Sequence, residues 1–97
     1  MFFNKQLDEL KRNTYKLLSE IELEVKDVNT RKEITFLLER LYLLNPKTNK
    51  HVTSLMKDLF NYVKELKREL ITPIDAVIKN YLNKINEVVN QIQYESE

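Results

Sequence analysis

The chain has 97 residues and a formal net charge of +1, because 16 lysine and arginine residues nearly balance 15 acids. This length predicts one domain, residues 1–97, with room for one core and little room for a deep active-site cleft. The absence of cysteine excludes disulfides, thiolate zinc sites and cysteine nucleophiles. The absence of glycine excludes the glycine-rich loops that bind phosphates.

The chain shows no sign of export or membrane insertion. Its start, MFFNKQLDEL, reaches charged residues too soon for a secretion signal. No apolar run approaches the ~18 residues of a transmembrane helix, and small secreted domains usually need disulfides. We therefore predict a cytoplasmic protein.

The first predicted helix covers residues 4–26. Apolar residues recur at steps of three and four, as on one side of an α-helix. The segment EIELEV alternates as a strand does, but Ile21 and Val25 continue the helical pattern, so we predict a helix. Leu23 then points away from the apolar stripe, as a peripheral contact or an exposed patch.

The second predicted helix covers residues 31–44. Thr30 and Glu33 have the spacing of a capping box, in which the two side chains bind backbone amides at a helix start. Phe36, Tyr42 and Leu43 widen the apolar stripe, so we expect this helix to be buried on more than one side. The stripe itself consists of Ile34, Leu37, Leu38, Leu41 and Leu44.

The third predicted helix covers residues 50–70. Pro46 disfavours helical geometry at Asn45, and Thr48 or Asn49 is suited to cap the next helix. The stripe that follows is wide: Val52, Leu55, Met56, Leu59, Phe60, Val63, Leu66 and Leu70.

The fourth predicted helix covers residues 73–93, after a joint in the segment RELITPIDAV. We expect Thr72 to cap it, Pro73 to occupy its first position and Asp75 to favour its positive end. Inside one continuous helix Pro73 would cost about 3 kcal/mol, so the pattern favours a joint over a kink. Four amphipathic helices with short connections predict an all-α, antiparallel four-helix bundle with a short C-terminal tail.

Catalytic and metal chemistry are not indicated, so we predict no catalytic residue, cofactor or metal, and no enzyme. His51 is the one histidine, whereas di-iron bundles need paired Glu-x-x-His motifs. Glu20, Glu22 and Glu24 form an acidic end of helix one. They are more simply explained by solvation than by a cation site or an acid–base pair.

Two surface features suggest binding. The basic face of helix three could contact phosphates or an anionic membrane surface, or it could simply be solvated. Tyrosines at the edges of the stripes either pack against the core or form a partner surface, because tyrosine is enriched in binding hot spots.

The segment SLMKDLFNYVKELKRELITPIDAVIKNYLNKI resembles the second half of immunity proteins for pediocin-like, class IIa bacteriocins, of the enterocin A immunity type. The matching positions are Leu59, Asn61, Tyr62, Leu70, Pro73 and Leu82. The earlier segment LLSEIELEVKDVNTRKEITFLLERLYLL is similar to the first half of that family. In that family the C-terminal part bears on which bacteriocin is recognised. The tail after Ile92 is shorter here than in members with longer C-terminal extensions, so the departure concerns the choice of bacteriocin rather than the class of protein.

The resemblance implies a cytoplasmic, non-enzymatic protein that protects a cell from a membrane-permeabilising peptide. It implies action at the inner face of the membrane, on a mannose-type sugar permease that serves as the peptide's receptor. Helices three and four would then carry recognition, in a monomer or weak dimer with possible peripheral membrane contact. From helical geometry the predicted partner-binding residues are Tyr62, Lys64, Arg68, Asn80, Asn83 and Tyr94.

Two other functions stay open at this level. One is a helical adaptor or homo-oligomer whose interface includes Leu23, Phe2 and Leu43. The other, which we disfavour because of the small net charge, is a nucleic-acid binder that uses helix three.

Overall fold

The chain forms a bundle of α-helices. A computed structural model describes residues 5–97, and within that range there are four helices and no strand. The prediction of an all-α four-helix bundle is confirmed. Asn4, the predicted first helical residue, lies outside the described part. The helices are α1 (Lys5–Glu24), α2 (Val28–Leu43), α3 (Lys50–Glu69) and α4 (Asp75–Ser96).

Contacts between helix ends give the helix directions. The Lys11 amine donates to the carbonyl of Leu44, at 2.6 Å, so the first half of α1 lies beside the end of α2. Lys67 forms an ion pair with Glu24, which brings the ends of α1 and α3 together. Consecutive helices are thus antiparallel, whereas the neighbours α1 and α3 are parallel.

The helices stand at the corners of a square. α1 and α4 each contact both α2 and α3, and among residues 5–97 no contact joins α1 to α4 or α2 to α3. The connection from α2 to α3 therefore runs diagonally across one end of the bundle. The result is an elongated body of 43 × 20 × 19 Å with the core along its axis.

The core is one aliphatic cluster with contributions from all four helices. Burying each such side chain contributes about 1.5–3 kcal/mol. Thr14 is buried among them and its hydroxyl donates to the carbonyl of Leu10 at 2.6 Å, so no polar atom is left unpaired there. The least exposed members include Leu18, Ile21, Ile34, Leu41, Met56, Leu59, Leu66, Ile85 and Ile92.

The predicted start of α2 is wrong. The helix begins at Val28, and its cap is Asp27, whose carboxylate accepts from the backbone N–H of Thr30 at 2.9 Å. The Thr30 hydroxyl also donates to that carboxylate, at 2.8 Å, and Thr30 itself lies inside the helix. An aspartate is at least as good a cap as a threonine, and the capping box of Thr30 and Glu33 does not form.

The expectation that α2 is buried on more than one side is also wrong. Phe36, Tyr42 and Leu43 are 59%, 69% and 76% exposed. The reason is the square arrangement, in which α2 contacts only α1 and α4. Tyr42 lies at the edge towards α1, with its ring centroid 6.3 Å from that of Tyr15, and Phe36 lies at the edge towards α4, so both stay largely exposed. The α2 surface is therefore unusually apolar for one that faces solvent.

The start of α3 is as expected, because Asn49 caps it by accepting from the N–H of Val52 at 2.8 Å. The joint before α4 also forms, and Asp75 lies in the first turn of α4 as expected, but the predicted cap and first residue are wrong. α4 begins at Asp75, two residues after Pro73, and its cap residue is Ile74, which offers no side-chain acceptor. Thr72 lies in the connection and caps nothing.

All four helix ends also differ from the prediction. α1 ends at Glu24 rather than at residue 26, α2 at Leu43 rather than residue 44, and α3 at Glu69 rather than residue 70. α4 continues to Ser96 rather than ending at residue 93. Val25 lies beyond α1 but is buried. Its N–H still donates to the carbonyl of Ile21 at 3.1 Å.

Leu23 and Leu43, two residues of the suggested interface, do not form one patch within the chain. Leu23 is 78% exposed at the end of α1, and Leu43 is exposed at the end of α2. Because α1 and α2 are antiparallel, these residues lie at opposite ends of the bundle. Phe2, the third residue of that interface, lies outside the described residues.

Candidate functional site

The six predicted partner-binding residues do not form one patch. Arg68 and Asn80 are exposed on the end of the bundle that holds the α3–α4 joint, whereas Tyr94 is 76% exposed at the other end of α4. Tyr62 is half-buried and Asn83 faces α2. Two denser arrangements on α3 and α4 emerge instead, and each includes part of the predicted set.

The first arrangement is a lysine between two tyrosine rings. The Lys84 amine lies 5.8 Å from the centroid of Tyr62 and 5.4 Å from that of Tyr81. Both rings are partly buried against the core, while Lys84 is exposed. A cation at this distance is attracted by the aromatic faces, so the rings hold the amine in place. We call these three residues the tyrosine–lysine cluster.

Acidic residues on α3 border this cluster. Partial burial raises the pKa of the Tyr81 hydroxyl, and the negative charges of Glu65 and Glu69 raise it further, while Arg68 acts in the opposite direction. A hydrogen bond between the Tyr81 hydroxyl and the Glu65 side chain adds to the rise in pKa. Aromatic surface beside a cation and acceptors is typical of binding hot spots.

The sequence alone predicts that two of the three cluster residues are neighbours. Tyr81 and Lys84 are three residues apart, so they are neighbours on one helix surface. Tyr62 lies on another helix, and only the register of the α3–α4 hairpin brings it to Lys84. Lys84 is thus a site residue that the sequence prediction missed, whereas Tyr62 was included.

The second arrangement is a line of cations along α3. Lys50, Lys57, Lys64 and Arg68 are separated by seven, seven and four residues, which places them on one side of the helix. All four are exposed, and none forms an ion pair with an acid in residues 5–97. At 1.5 Å per residue the line is roughly 27 Å long. We call it the basic ridge.

Lys64 has a further contact within this ridge. Its amine lies 5.0 Å from the ring centroid of Phe60, which is half-buried towards α1. Lys64 and Arg68, both predicted as site residues, therefore belong to the basic ridge rather than to the tyrosine–lysine cluster. The ridge can attract phosphate groups over its whole length.

Asn83 belongs to a third place, the seam between α2 and α4. It lines a shallow cavity of about 210 Å³ together with Phe36 and Asn86. Beside the cavity, Arg40 donates to the side-chain oxygens of Asn86 at 2.6 Å, of Gln93 at 3.2 Å and of Asn90. These contacts join the two helices, so this part of the seam has a structural explanation.

The remaining polar groups considered from sequence lie at the surface. His51 Nε2 is 3.8 Å from Glu95 Oε1, and both side chains are solvated. Glu22 accepts a hydrogen bond from Thr35, and Glu24 pairs with Lys67. Over residues 5–97 no group of histidine and acid side chains is arranged to hold a metal ion.

Two further observations bear on identity. No helix within the described range combines the length and apolar character needed to cross a membrane. Comparisons with protein-family models, curated proteins and solved structures gave no match to this chain.

Proposed function

We propose that this protein is a binding protein of the class IIa bacteriocin immunity type. It protects a cell from a membrane-permeabilising peptide by binding the complex of peptide and receptor at the cytoplasmic face of the membrane. The receptor that the resemblance implies is a mannose-type sugar permease. The proposal rests first on the segment from Ser54 to Ile85, which resembles that family.

The observation that carries the proposal is the surface of the same segment. The tyrosine–lysine cluster and the basic ridge both lie on the α3–α4 hairpin, the half of the chain in which the resemblance places recognition. This surface offers exposed aromatic and charged contacts, which suits recognition of a partner.

In this proposal the two arrangements have separate roles. The basic ridge attracts the anionic inner surface of the membrane, where each lysine or arginine contributes about 1 kcal/mol. The tyrosine–lysine cluster makes the specific contacts, because half-buried tyrosines lose little conformational entropy when they bind. The ridge thus concentrates the protein near the receptor, and the cluster distinguishes the receptor from other surfaces.

A second function is favoured by the exposed apolar surface of α2, which is suited to self-association. The helical adaptor or homo-oligomer is therefore retained as an alternative. A nucleic-acid binder is the third option, since phosphates of any origin suit the basic ridge. Binding to DNA or RNA that weakens steeply with salt would favour it over protection at a membrane.

The direct test of the proposed function is a challenge experiment. The protein is expressed in a sensitive lactic acid or streptococcal strain, which is then treated with a panel of class IIa peptides. Protection against at least one peptide is expected. The matched control is Leu59→Asp, which places an unpaired charge in the core and should unfold the domain. Failure of abundant, folded protein to protect against any peptide would refute the proposal.

A further inference from the structure

The outer side of α2 carries a regular stripe. Asn29, Glu33, Phe36, Arg40 and Leu43 follow each other at alternating steps of four and three residues, the spacing of a helix–helix seam. The stripe borders α4 on one side, because Arg40 bonds to Asn86 of α4 and Phe36 lines the cavity between α2 and α4. Within residues 5–97, α2 contacts only α1 and α4, so no helix covers the side of the stripe that faces away from α4. We call these five residues the α2 stripe.

The composition of the α2 stripe differs from that of a solvated surface. Phe36 is 59% exposed and Leu43 is 76% exposed, although each could bury a large apolar area. Arg40 lies between them, half-buried, with its guanidinium 5.9 Å from the centroid of the Phe36 ring. Apolar residues thus flank one charged group at the centre of the stripe.

The charges of the stripe are not neutralised by any acid or base in residues 5–97. Arg40 is held by three neutral amide oxygens, of Asn86, Asn90 and Gln93, which orient it but leave its charge. Its guanidinium carries further N–H donors beyond these three bonds. Neither Arg40 nor Glu33 forms an ion pair with a residue in 5–97.

We propose that the α2 stripe is the interface of a homodimer, in which two copies of α2 pack antiparallel about a twofold axis near Phe36. Glu33 lies three residues before Phe36 and Arg40 four residues after it. A twofold axis at this point therefore places Glu33 of each copy opposite Arg40 of the other. The interface is closed and self-complementary, as dimer interfaces are.

A second copy suits this stripe better than an unrelated helix does. Glu33 and Arg40 are seven residues apart on the same helix. The twofold axis therefore produces the contact between Glu33 of one copy and Arg40 of the other twice. The two Phe36 side chains meet at the axis, and Leu43 of one copy lies towards Asn29 of the other. Glu33 also lines the cavity beside Phe36, so its side chain lies next to the proposed dimer interface.

The available area sets the strength of the dimer. α2 is roughly 24 Å long and about 10–12 Å wide with its side chains, so each copy can bury about 250–300 Å² on this helix. The total is about 500–600 Å², below the roughly 1,200 Å² of standard specific complexes, so association is weak and transient. The dimer is expected to form at high protein concentration and to dissociate on dilution.

This inference is independent of the proposed function. α3 does not contact α2 within residues 5–97, so the dimer leaves the basic ridge and the tyrosine–lysine cluster uncovered. Loss of the dimer and loss of protection are therefore separate results.

The test reverses the charge at Glu33 or at Arg40. The dimer dissociation constant of the full chain is measured by sedimentation equilibrium over a wide concentration range. Wild type is expected to dimerise. Glu33→Arg and Arg40→Glu should each weaken self-association by about tenfold or more, because like charges then face each other. An equimolar mixture of these two variants should recover the wild-type dimer, since opposite charges meet again only in the mixed pair.

Two variants complete the design. Arg68→Glu makes the same charge change on α3 and should leave dimerisation unchanged. Phe36→Ser should weaken the dimer without changing the core. Folding of each variant is checked by circular dichroism, and if Arg40→Glu does not fold, Phe36→Ser still tests the interface. The proposal is overturned if wild type remains monomeric at the highest concentration, if the mixture does not recover the dimer, or if Phe36→Ser dimerises like wild type.

Discussion

At the scale of single residues, Asp27 decides where α2 begins. Its carboxylate accepts from both the backbone N–H and the hydroxyl of Thr30. These two hydrogen bonds, the hydroxyl one first, lower the pKa of Asp27, and the positive charge of Lys79 adds to the effect. The charged carboxylate is thus the form that the folded state prefers.

This pKa shift predicts how stability depends on acid. A carboxyl group whose pKa is lowered by folding stabilises the folded state above its ordinary pKa and loses that contribution as pH falls through the folded value. Asp27→Asn retains an acceptor for the cap but does not titrate. Urea unfolding should therefore show wild type losing stability relative to Asp27→Asn below about pH 4. A constant difference from pH 7 to acid would contradict the cap assignment.

Leu59 represents the core at the same scale. It is 1% exposed on α3, among side chains from the other helices. Leu59→Ala leaves a cavity and should cost about 2–5 kcal/mol of unfolding free energy. Arg68→Ala, on the outer side of the same helix, should change it by no more than about 0.5 kcal/mol. Urea denaturation of both variants measures the contrast, and a large loss for Arg68→Ala would place the basic ridge in a buried surface.

At the scale of helices, the start of α4 is a weak point that substitution can improve. Ile74 occupies the cap position with extended backbone angles, φ −118° and ψ 118°, but provides no side-chain acceptor. It is also 60% exposed, so little packing is lost on replacement. Ile74→Asp supplies an acceptor to the first turn and a negative charge to the positive helix end.

Ile74→Asp should therefore stabilise the protein by about 1 kcal/mol. The measurement is thermal or urea unfolding, compared with Ile71→Asp. Ile71 is 82% exposed in the same connection but lies outside the cap position, so its replacement should give no comparable gain. Equal effects of the two substitutions would show that the gain comes from removing exposed apolar surface.

The helices also show what the sequence could predict and where prediction failed. Apolar spacing identified four helices, because burial of one side is what fixes each of them. It could not place the caps: the sequence suggested Thr30, whereas the backbone N–H of Thr30 donates to Asp27, so α2 starts three residues earlier. The exposed outer side of α2 was missed because spacing within a helix does not reveal how many neighbours that helix has.

At the scale of the whole molecule, the diagonal connection from α2 to α3 explains the distribution of surfaces. It leaves α2 and α3 at opposite corners, so the apolar α2 stripe and the basic ridge lie on separate sides. The predicted site residues separate for a related reason. Tyr62 meets Lys84, which the sequence did not single out, through the register of a hairpin, whereas Lys64 and Arg68 lie together on the ridge.

The central claim is that the α3–α4 surface protects cells by binding, and Lys84 is the residue that tests it. Lys84→Glu reverses the charge between the two tyrosine rings, while Lys16→Glu makes the same change at an exposed position on α1. Loss of a hot-spot contact costs about 2 kcal/mol or more, or about thirtyfold in affinity.

The measurement is the class IIa peptide dose that kills half of a sensitive strain expressing each variant at equal abundance. The expected result is protection by wild type and Lys16→Glu, and a dose close to that of unprotected cells for Lys84→Glu. Equal protection by all three proteins would contradict the role of the tyrosine–lysine cluster, and absence of protection by wild type would contradict the function itself.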